Sequence, residues 1–316
     1  MSSYHPKALG LVLLTSQISS ASTTVAIELL STFNAVTTGD YFPQGADTEG
    51  RVLVGGTFTV STALPFNSIG NGDPVASYAS DFSFSANGLL RVQNGGIVTP
   101  SSPSASDFEF TAGNSLVSGA AGQTQYDNFY ASLGISAADL SATMVSASIE
   151  WSQITPTDAV VANGNNPTFN AGSGVAVFDV AASDVFAQNF NPQFTKQNDT
   201  TAILINVSGT DIDNTSFGQN LDNIPEDFRR IIVWNFYEAE SLELSKFGGA
   251  IFAPNADVVI TEPNGSVVSK TLFHSAELHQ DLFDGVDPYV TLIPEPGSLF
   301  MLMVAGGGMM ARRRRP

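Results

Sequence analysis

Short apolar runs closed by turn-forming residues recur along the chain from Ile27 onward, and their lengths are those of strands. Arg51 to Gly56 reads RVLVGG, Leu89 to Gly96 LLRVQNGG, Val175 to Val180 VAVFDV and Ala202 to Val207 AILINV. Ile231 to Phe236 (IIVWNF), Ala250 to Ala253 (AIFA), Asp257 to Ile260 (DVVI) and Ser266 to Leu272 (SVVSKTL) continue the series. Their β-branched and aromatic bias, with Gly, Asn, Asp or Ser at the boundaries, predicts strands. Glycine pairs at Gly55-Gly56, Gly95-Gly96 and Gly248-Gly249 mark tight backbone approach or φ > 0. No fixed period links them. This excludes a sequence-regular solenoid and leaves open an irregular β-helix with coils of unequal length.

One stretch breaks the pattern. Tyr126, Phe129, Tyr130 and Leu133 follow helical spacing and predict a helix around residues 123–144, packed on the β body. Gly134 interrupts it, and Ser136 with Asp139 has the form of a capping box before Leu140 and Met144. Thr99 to Ser106 and Thr155 to Gly174 are rich in Pro, Ser, Asn and Gly and read as exposed loops. Strand-like runs resume after each without a change in composition, so the body is a single domain.

Composition agrees with a turn-rich β protein: 43% of residues are apolar and 13% charged, and there is no Cys. Disulfides and thiolate metal sites are thereby excluded. The net charge is −18, and five of the 12 Lys and Arg sit at the extremities, Lys7 and Arg312 to Arg315. Without them 7 bases face 30 acids, a balance that repels nucleic acid and anionic membrane.

The two ends look processed. Lys7, the apolar run Ala8 to Leu14 and the small residues Ser19-Ser20-Ala21 follow the order of a secretory signal peptide, with cleavage expected at Ala21. An ordinary apolar N-terminal element is the alternative. At the other end, Leu299 to Ala311 carries no charge but spans only about 20 Å as a helix, short for a roughly 30 Å hydrocarbon core. The arginines after it resist translocation. Pro294-Glu295-Pro296, this apolar stretch and Arg312, Arg313, Arg314 and Arg315 resemble the PEP-CTERM sorting signal of exported bacterial proteins. The resemblance implies an exosortase partner, cleavage near the triplet, and delivery to the cell surface or extracellular matrix. It makes the membrane insertion of residues 299–311 transient. A permanent C-terminal membrane tail is the alternative.

The body carries a second resemblance. Phe33-Asn34, Gly39-Asp40 and Glu49-Gly50-Arg51-Val52 precede Val54-Gly55-Gly56; ILINVSG (Ile203 to Gly209), the stretch Ile231 to Val258 and LFHSAELHQDLFDG (Leu272 to Gly285) follow. Together they resemble the choice-of-anchor A domain over residues 27–287. That implies an extracellular, adhesive or matrix-associated β-solenoid-like domain. The expected organisation is a signal peptide over 1–21, a mainly β domain over 27–287 and a sorting signal over 294–316 with a short transmembrane helix at 299–311. The expected domain is an irregular right-handed β-helix with one packed α-helix.

Candidate chemistry is sparse. His274 and His279, five apart, fit neither a helical nor a strand ligand pair. Glu277 and His279 share a strand face, but the sequence identifies no third ligand. Asp211, Asp213, Asp222, Glu226 and Asp227 crowd one loop and Glu238, Glu240 and Glu243 another, so Ca²⁺ is the one candidate cofactor, against a solvated acidic rim. Trp234 and Phe236 share a face with Ile232 and are expected in the core, leaving Asn235 on the other face for an internal hydrogen-bond ladder. No catalytic, cofactor-binding or metal residue is assigned.

The leading expectation is a non-enzymatic exported surface or matrix protein that adheres or associates with exopolysaccharide. Ice or crystal-surface binding is the alternative, and a polysaccharide-active enzyme the third reading. Deleting Pro294 to Pro316 is expected to change the location of the protein in cell fractionation while its circular dichroism stays that of the intact body. Normal sorting of the truncated chain would sink the signal reading.

Overall fold

The computed structural model describes residues 21–68, 76–111, 113–161, 166–186, 191–215, 221 and 224–292. The first half supplies β1 (Ala35–Thr37), β2 (Tyr41–Pro43), β3 (Val52–Val60), β4 (Ala63–Phe66), β5 (Ser77–Phe84), β6 (Leu89–Val92), β7 (Ile97–Val98), β8 (Phe108–Phe110) and β9 (Leu116–Val117). The second supplies β10 (Val160–Val161), β11 (Thr168–Ala171), β12 (Gly174–Ala181), β13 (Gln193–Lys196), β14 (Thr200–Ser208), β15 (Asp211–Asp213), β16 (Ile232–Asn235), β17 (Ser241–Gly248), β18 (Ala250–Asn264) and β19 (Val267–His274). Helices cover residues 21–32 (α1), Gly119–Ser132 (α2) and Leu140–Ser152 (α3).

These strands wind into a mainly β, parallel, solenoid-like body. Along its first face the order is β12-β14-β16-β18-β19-β1-β3-β5-β7-β9, and every pairing on it is parallel. The chain therefore starts in the middle, at β1, and stacks outward to β9. It then returns through α2 and α3 and restarts at the far end with β12, stacking inward until β19 meets β1. A second face runs β15-β17-β18-β19-β2-β3-β5, because β3, β5, β18 and β19 are long enough to turn a corner and serve both faces. The third face is formed by β4-β6-β8 and β10-β11-β13 with bridges at Thr48 and Leu221 between them.

The corners explain the glycine pairs. At the irregularity between Val54 and Thr57, a Cβ on Gly56 would lie 2.5 Å from Asp40 Oδ1 and 2.8 Å from Gly39 O, so only glycine lets adjacent coils turn together. Coil lengths vary: Ile251 pairs with Val267 directly below it, whereas Ile203 pairs with Ile232 after a long excursion. That inequality is why no period shows in the sequence.

Two cores hold the body. Inside the solenoid pack Phe58, Phe66, Phe178, Trp234 and Phe247 among aliphatic residues; outside the first face, Val36, Leu53, Val177, Leu204, Val233 and Phe252 pack against the helices. First-face strands are buried on both sides, so VAVFDV and AILINV read as continuous apolar runs rather than alternations. All eight runs singled out in the sequence contribute a strand, although β6 takes only Leu89 to Val92 of LLRVQNGG, and AIFA and DVVI are joined in β18.

Three expectations need correction. The single helix around 123–144 is two: Gly134 at φ +74° ends α2's turn, and Ser136 Oγ and N both donate to Asp139 (2.6 and 3.2 Å), restarting the chain as α3. The β pattern does not begin at Ile27. Val25, Ala26, Leu29 and Leu30 form a helical stripe that α1 buries against the first face. The supposed loop Thr155 to Gly174 contains β10 and β11, whose Phe169 is needed to fill the solenoid interior.

Under α3 lies the ladder expected at Asn235. Asp179, Asn206 and Asn235 are in register on β12, β14 and β16. Asn235 Nδ2 donates to Asn206 Oδ1 (2.9 Å) and Ser148 O (2.9 Å), and its Oδ1 accepts from Ser148 Oγ (2.6 Å). Asn206 Nδ2 donates to Asp179 Oδ1 (3.0 Å) and to Trp151 O (3.1 Å), a last-turn carbonyl of α3. Substituting Asn235→Ala strands several buried polar groups at once, and urea denaturation is expected to show a loss of about 2–3 kcal/mol. A loss below about 0.5 kcal/mol would mean the ladder is dispensable.

Candidate functional site

Where the last coil meets the first, the polar side chains that the sequence scatters come together. Asn34, fully buried ahead of β1, accepts from Gly50 N (2.9 Å) and donates to Gly265 O (3.2 Å) and His279 O (2.9 Å). A Cβ on Gly50 would meet Asn34 Oδ1 at 2.7 Å, which is why glycine stands there. Just inside, Tyr41 Oη is 2.7 Å from Thr48 Oγ1 and 2.8 Å from His274 Nε2. His274 Nδ1 faces Ala276 O at 2.7 Å. A carbonyl only accepts, so Nδ1 carries the proton and Nε2 accepts from the tyrosine. His274 is thus a neutral interior strut; burial presses it down to about 4, against the hydrogen bond to Ala276. Burial likewise lifts Tyr41 above its ordinary range.

On the outside of the same junction stand Glu49, Glu277 and His279, with one ligand atom from each within 4.8 Å of the others. Among the described residues this is the one such group of three. Glu49 is nine-tenths buried; its Oε2 accepts from Gln280 N (2.7 Å) and its Oε1 faces His279 Nδ1 (3.1 Å). His279 Nε2 lies 3.7 Å from Glu262 Oε1, and Glu262 pairs with Lys246 at 2.8 Å. Desolvation holds Glu277 above the usual carboxylate range; His279 opposes this, and the charges of Glu49 and Asp47 add to it. No third ligand for Glu277 and His279 was visible in the sequence because Glu49 lies 230 positions from His279.

The acidic loops are otherwise dispersed. Asp211 and Asp213 lie on β15, where Asp213 is in register with Glu243 on β17. Asp227 pairs with Lys196 at 3.4 Å, and Glu238 accepts from Gly209 N at 3.0 Å. Asp222 falls outside the described residues, as do Pro294, Glu295, Pro296 and Arg312 to Arg315. Ala21 is exposed at the first described position of α1, so a cut there leaves the buried stripe from Val25 onward in the domain. No described helix is long and apolar enough to cross a membrane, and residues 299–311 are not among those described. Trp234 and Phe236 are in the core, as expected.

Helices cover the first face, and the second is left open. Its outward positions form two columns in register, Asp211, Ser241, Asp257 and Thr271 in one, and Asp213, Glu243, Val259, Phe273 and Phe42 in the other. Thr57 with Asp81, and Thr59 with Ser83, extend the face onto β3 and β5. Thr271 Oγ1 donates to Asp257 Oδ1 (2.8 Å), and Lys270 pairs with the same carboxylate (3.2 Å). The face runs into a cleft of about 740 Å³ walled by Tyr237, Glu238, Glu240, Asn255, Asp257 and Lys270. Phe42 and Phe273 were not singled out in the sequence, since one outward aromatic in a strand carries no signal of its own.

Residues 26–280 match the family model described as "Putative Ice-binding-like adhesive domain". The chain belongs to that family. No curated protein matches this adhesive domain. Among solved structures, an ice-binding protein from an Antarctic ascomycete, Antarctomyces psychrotrophicus, is 14% identical and aligns over 80% of this chain and 96% of its own, with a TM-score of 0.31.

Two buried groups of the adhesive domain give its stability opposite pH slopes. His274 titrates near 6.5 when unfolded and about 4 when folded, so its contribution is complete above pH 6.5 and is lost as pH falls toward 4. The loss is on the order of 3 kcal/mol. Glu150, on α3, is lifted to about 7 by burial, helped by the charge of Asp287 and opposed by a hydrogen bond from Ser146. Its contribution is complete below about pH 4.5 and is lost as pH rises through 7. Denaturation curves are expected to show Glu150→Gln stabilised relative to the parent at pH 8 but not at pH 4.5. A pH-independent difference would sink this assignment.

Proposed function

We propose that this chain is an exported, non-enzymatic adhesive domain that lays its open second face on a hydroxyl-rich polymer, a neutral or amine-bearing polysaccharide. The observation that carries this is the pairing of two columns in register on one open face, acids with hydroxyls beside Val259, Phe273 and Phe42. Carboxylates make strong charge-assisted hydrogen bonds to hydroxyls and ammonium groups, and aromatic rings pack on the C–H faces of sugars. The polymer cannot be polyanionic, since the chain's net charge of −18 would repel it. Within this reading, residues 1–21 direct export and the PEP-CTERM-like tail from Pro294 directs sorting. The choice-of-anchor A resemblance supports the same surface placement.

The family description favours a second reading, ice. Thr57, Thr59, Thr271 and Ser83 supply hydroxyls on the face. Asp211, Asp213, Glu243 and Asp257 occupy the β15-to-β18 half of the same face, Asp257 beside Thr271, and Asp81 stands beside Thr57; carboxylates hold their own hydration shells too firmly to join an ice-like water layer. The mature protein is expected to deplete from solution onto neutral or amino-polysaccharide particles, and Phe42→Ala/Phe273→Ala to weaken that binding about tenfold, or 1.4 kcal/mol. Unchanged binding by the double variant would remove the face from the argument. Inhibition of ice recrystallisation at micromolar protein, lost in Thr57→Asp/Thr59→Asp, would replace the polysaccharide reading with the ice reading.

A further inference from the structure

The geometry points to a divalent transition-metal site, of the zinc class, held by Glu49, Glu277 and His279 across the junction of the first and last coils. The donor set argues for the ion. One imidazole with two carboxylates suits Zn²⁺, whereas Ca²⁺ takes oxygen ligands alone. Three protein donors whose ligand atoms lie within 4.8 Å of one another leave a fourth position on the side of exposed Glu277.

The surroundings are those of a built site rather than an acidic patch. Glu49 is nine-tenths buried and fixed by the Gln280 N–H at 2.7 Å. With His279 Nδ1 turned to Glu49, its Nε2 faces Glu262 at 3.7 Å, and Glu262 is itself held by Lys246. That is the carboxylate–histidine arrangement that orients a metal-binding imidazole. Asp47 acts electrostatically on Glu277, and its Oδ1 is closed off from solvent with no hydrogen-bond partner among the described residues. Negative charge thus converges on the imidazole from several sides, and a dication relieves it. The backbone already brings the donors together, since Thr48 bridges Leu278, Asn264 bridges His279, and Glu49 N donates to Leu278 O (3.1 Å).

Such an ion joins residues some 230 positions apart and so acts as a staple on the closed fold. The test uses the untagged mature protein, stripped with chelator and titrated with Zn²⁺ alone by calorimetry at pH 7, with thermal unfolding in parallel. One ion per chain is expected, with a Tm rise of about 5 °C at saturating zinc. Glu277→Gln, at an exposed position, is expected to keep the fold by circular dichroism while weakening zinc at least about tenfold, and His279→Gln to weaken it further. Absence of stoichiometric zinc binding by the parent would overturn the site, as would unaltered affinity in both variants. Equal affinity for Ca²⁺ would overturn the role of the imidazole.

Discussion

Everything in this fold depends on the last coil finding the first. The chain begins in the middle of its own stack, so β1 has a neighbour on one side from the start, β3, and on the other only when β19 arrives. The register Ala35 with Val267, Val36 with Val268 and Thr37 with Ser269 is short, and the loop it closes is most of the protein. Closure entropy grows slowly with loop length, but it is spent before any seam contact forms. Asn34 answers that cost by satisfying Gly50, Gly265 and His279 from one buried side chain. Tyr41, Thr48 and His274 do the same inside. In a low-dielectric interior a misregistered seam would cost Asn34 its bonds to Gly265 and His279, and Tyr41 and His274 their bond to each other. Parallel pairing over such separation also makes slow folding the expected behaviour.

The returning helices decide which surface is left for work. α1, α2 and α3 bury two outward columns of the first face, Val177-Leu204-Val233-Ala250 and Phe252-Val268-Val36-Leu53, and the asparagine ladder ties α3 to it through Ser148 and Trp151. Gly122 lets α2 come so close to Thr99 that a Cβ would overlap its carbonyl. A face covered this tightly is not available to a partner. The third face is divided between two short three-stranded sheets, β4-β6-β8 and β10-β11-β13. An uncovered run of side chains in register over five strands belongs to the second face, where rungs repeat at about 4.8 Å.

Much of the body was legible in the sequence because two-sided burial writes itself as continuous apolar runs. VAVFDV, AILINV and IIVWNF are strands for that reason, and Asn235 among apolar residues marked its own ladder. Tyr126, Phe129, Tyr130 and Leu133 gave the helix and Gly134 its break. Other features had no local signature. α1 was hidden because residues 21–32 adjoin a stretch that reads as a leader, and its stripe of Val25, Ala26, Leu29 and Leu30 carries few turn signals. β10 and β11 were lost in polar, Asn-rich sequence, since Phe169 is the one large side chain of that stretch buried in the interior, with small Ala171 and half-buried Val160 beside it. The candidate site was the least legible part. Glu49 sits in a run that resembles a known family, and Glu277 with His279 in another, but nothing in either run states that they touch. That contact is a property of the topology, in which the chain closes on its own beginning.

The seam also links stability to the proposed adhesion. Phe273 and Phe42, the aromatic pair at the centre of the second face, belong to β19 and β2 and are brought into register by the same junction. Until the last coil docks, the two rings lie on separate halves and the column Val259–Phe273–Phe42 does not exist. Directly behind them, one residue along each strand, Leu272 pairs with Tyr41, and His274 closes the polar strut. Tightening the junction, by hydrogen bonds within or by an ion at Glu49, Glu277 and His279 outside, therefore preorganises the face that would bind. A rigid face loses little conformational freedom on contact, so each weak contact along an extended surface is retained in the total. In this architecture the closure that makes the fold possible and the assembly of the proposed binding face are one event.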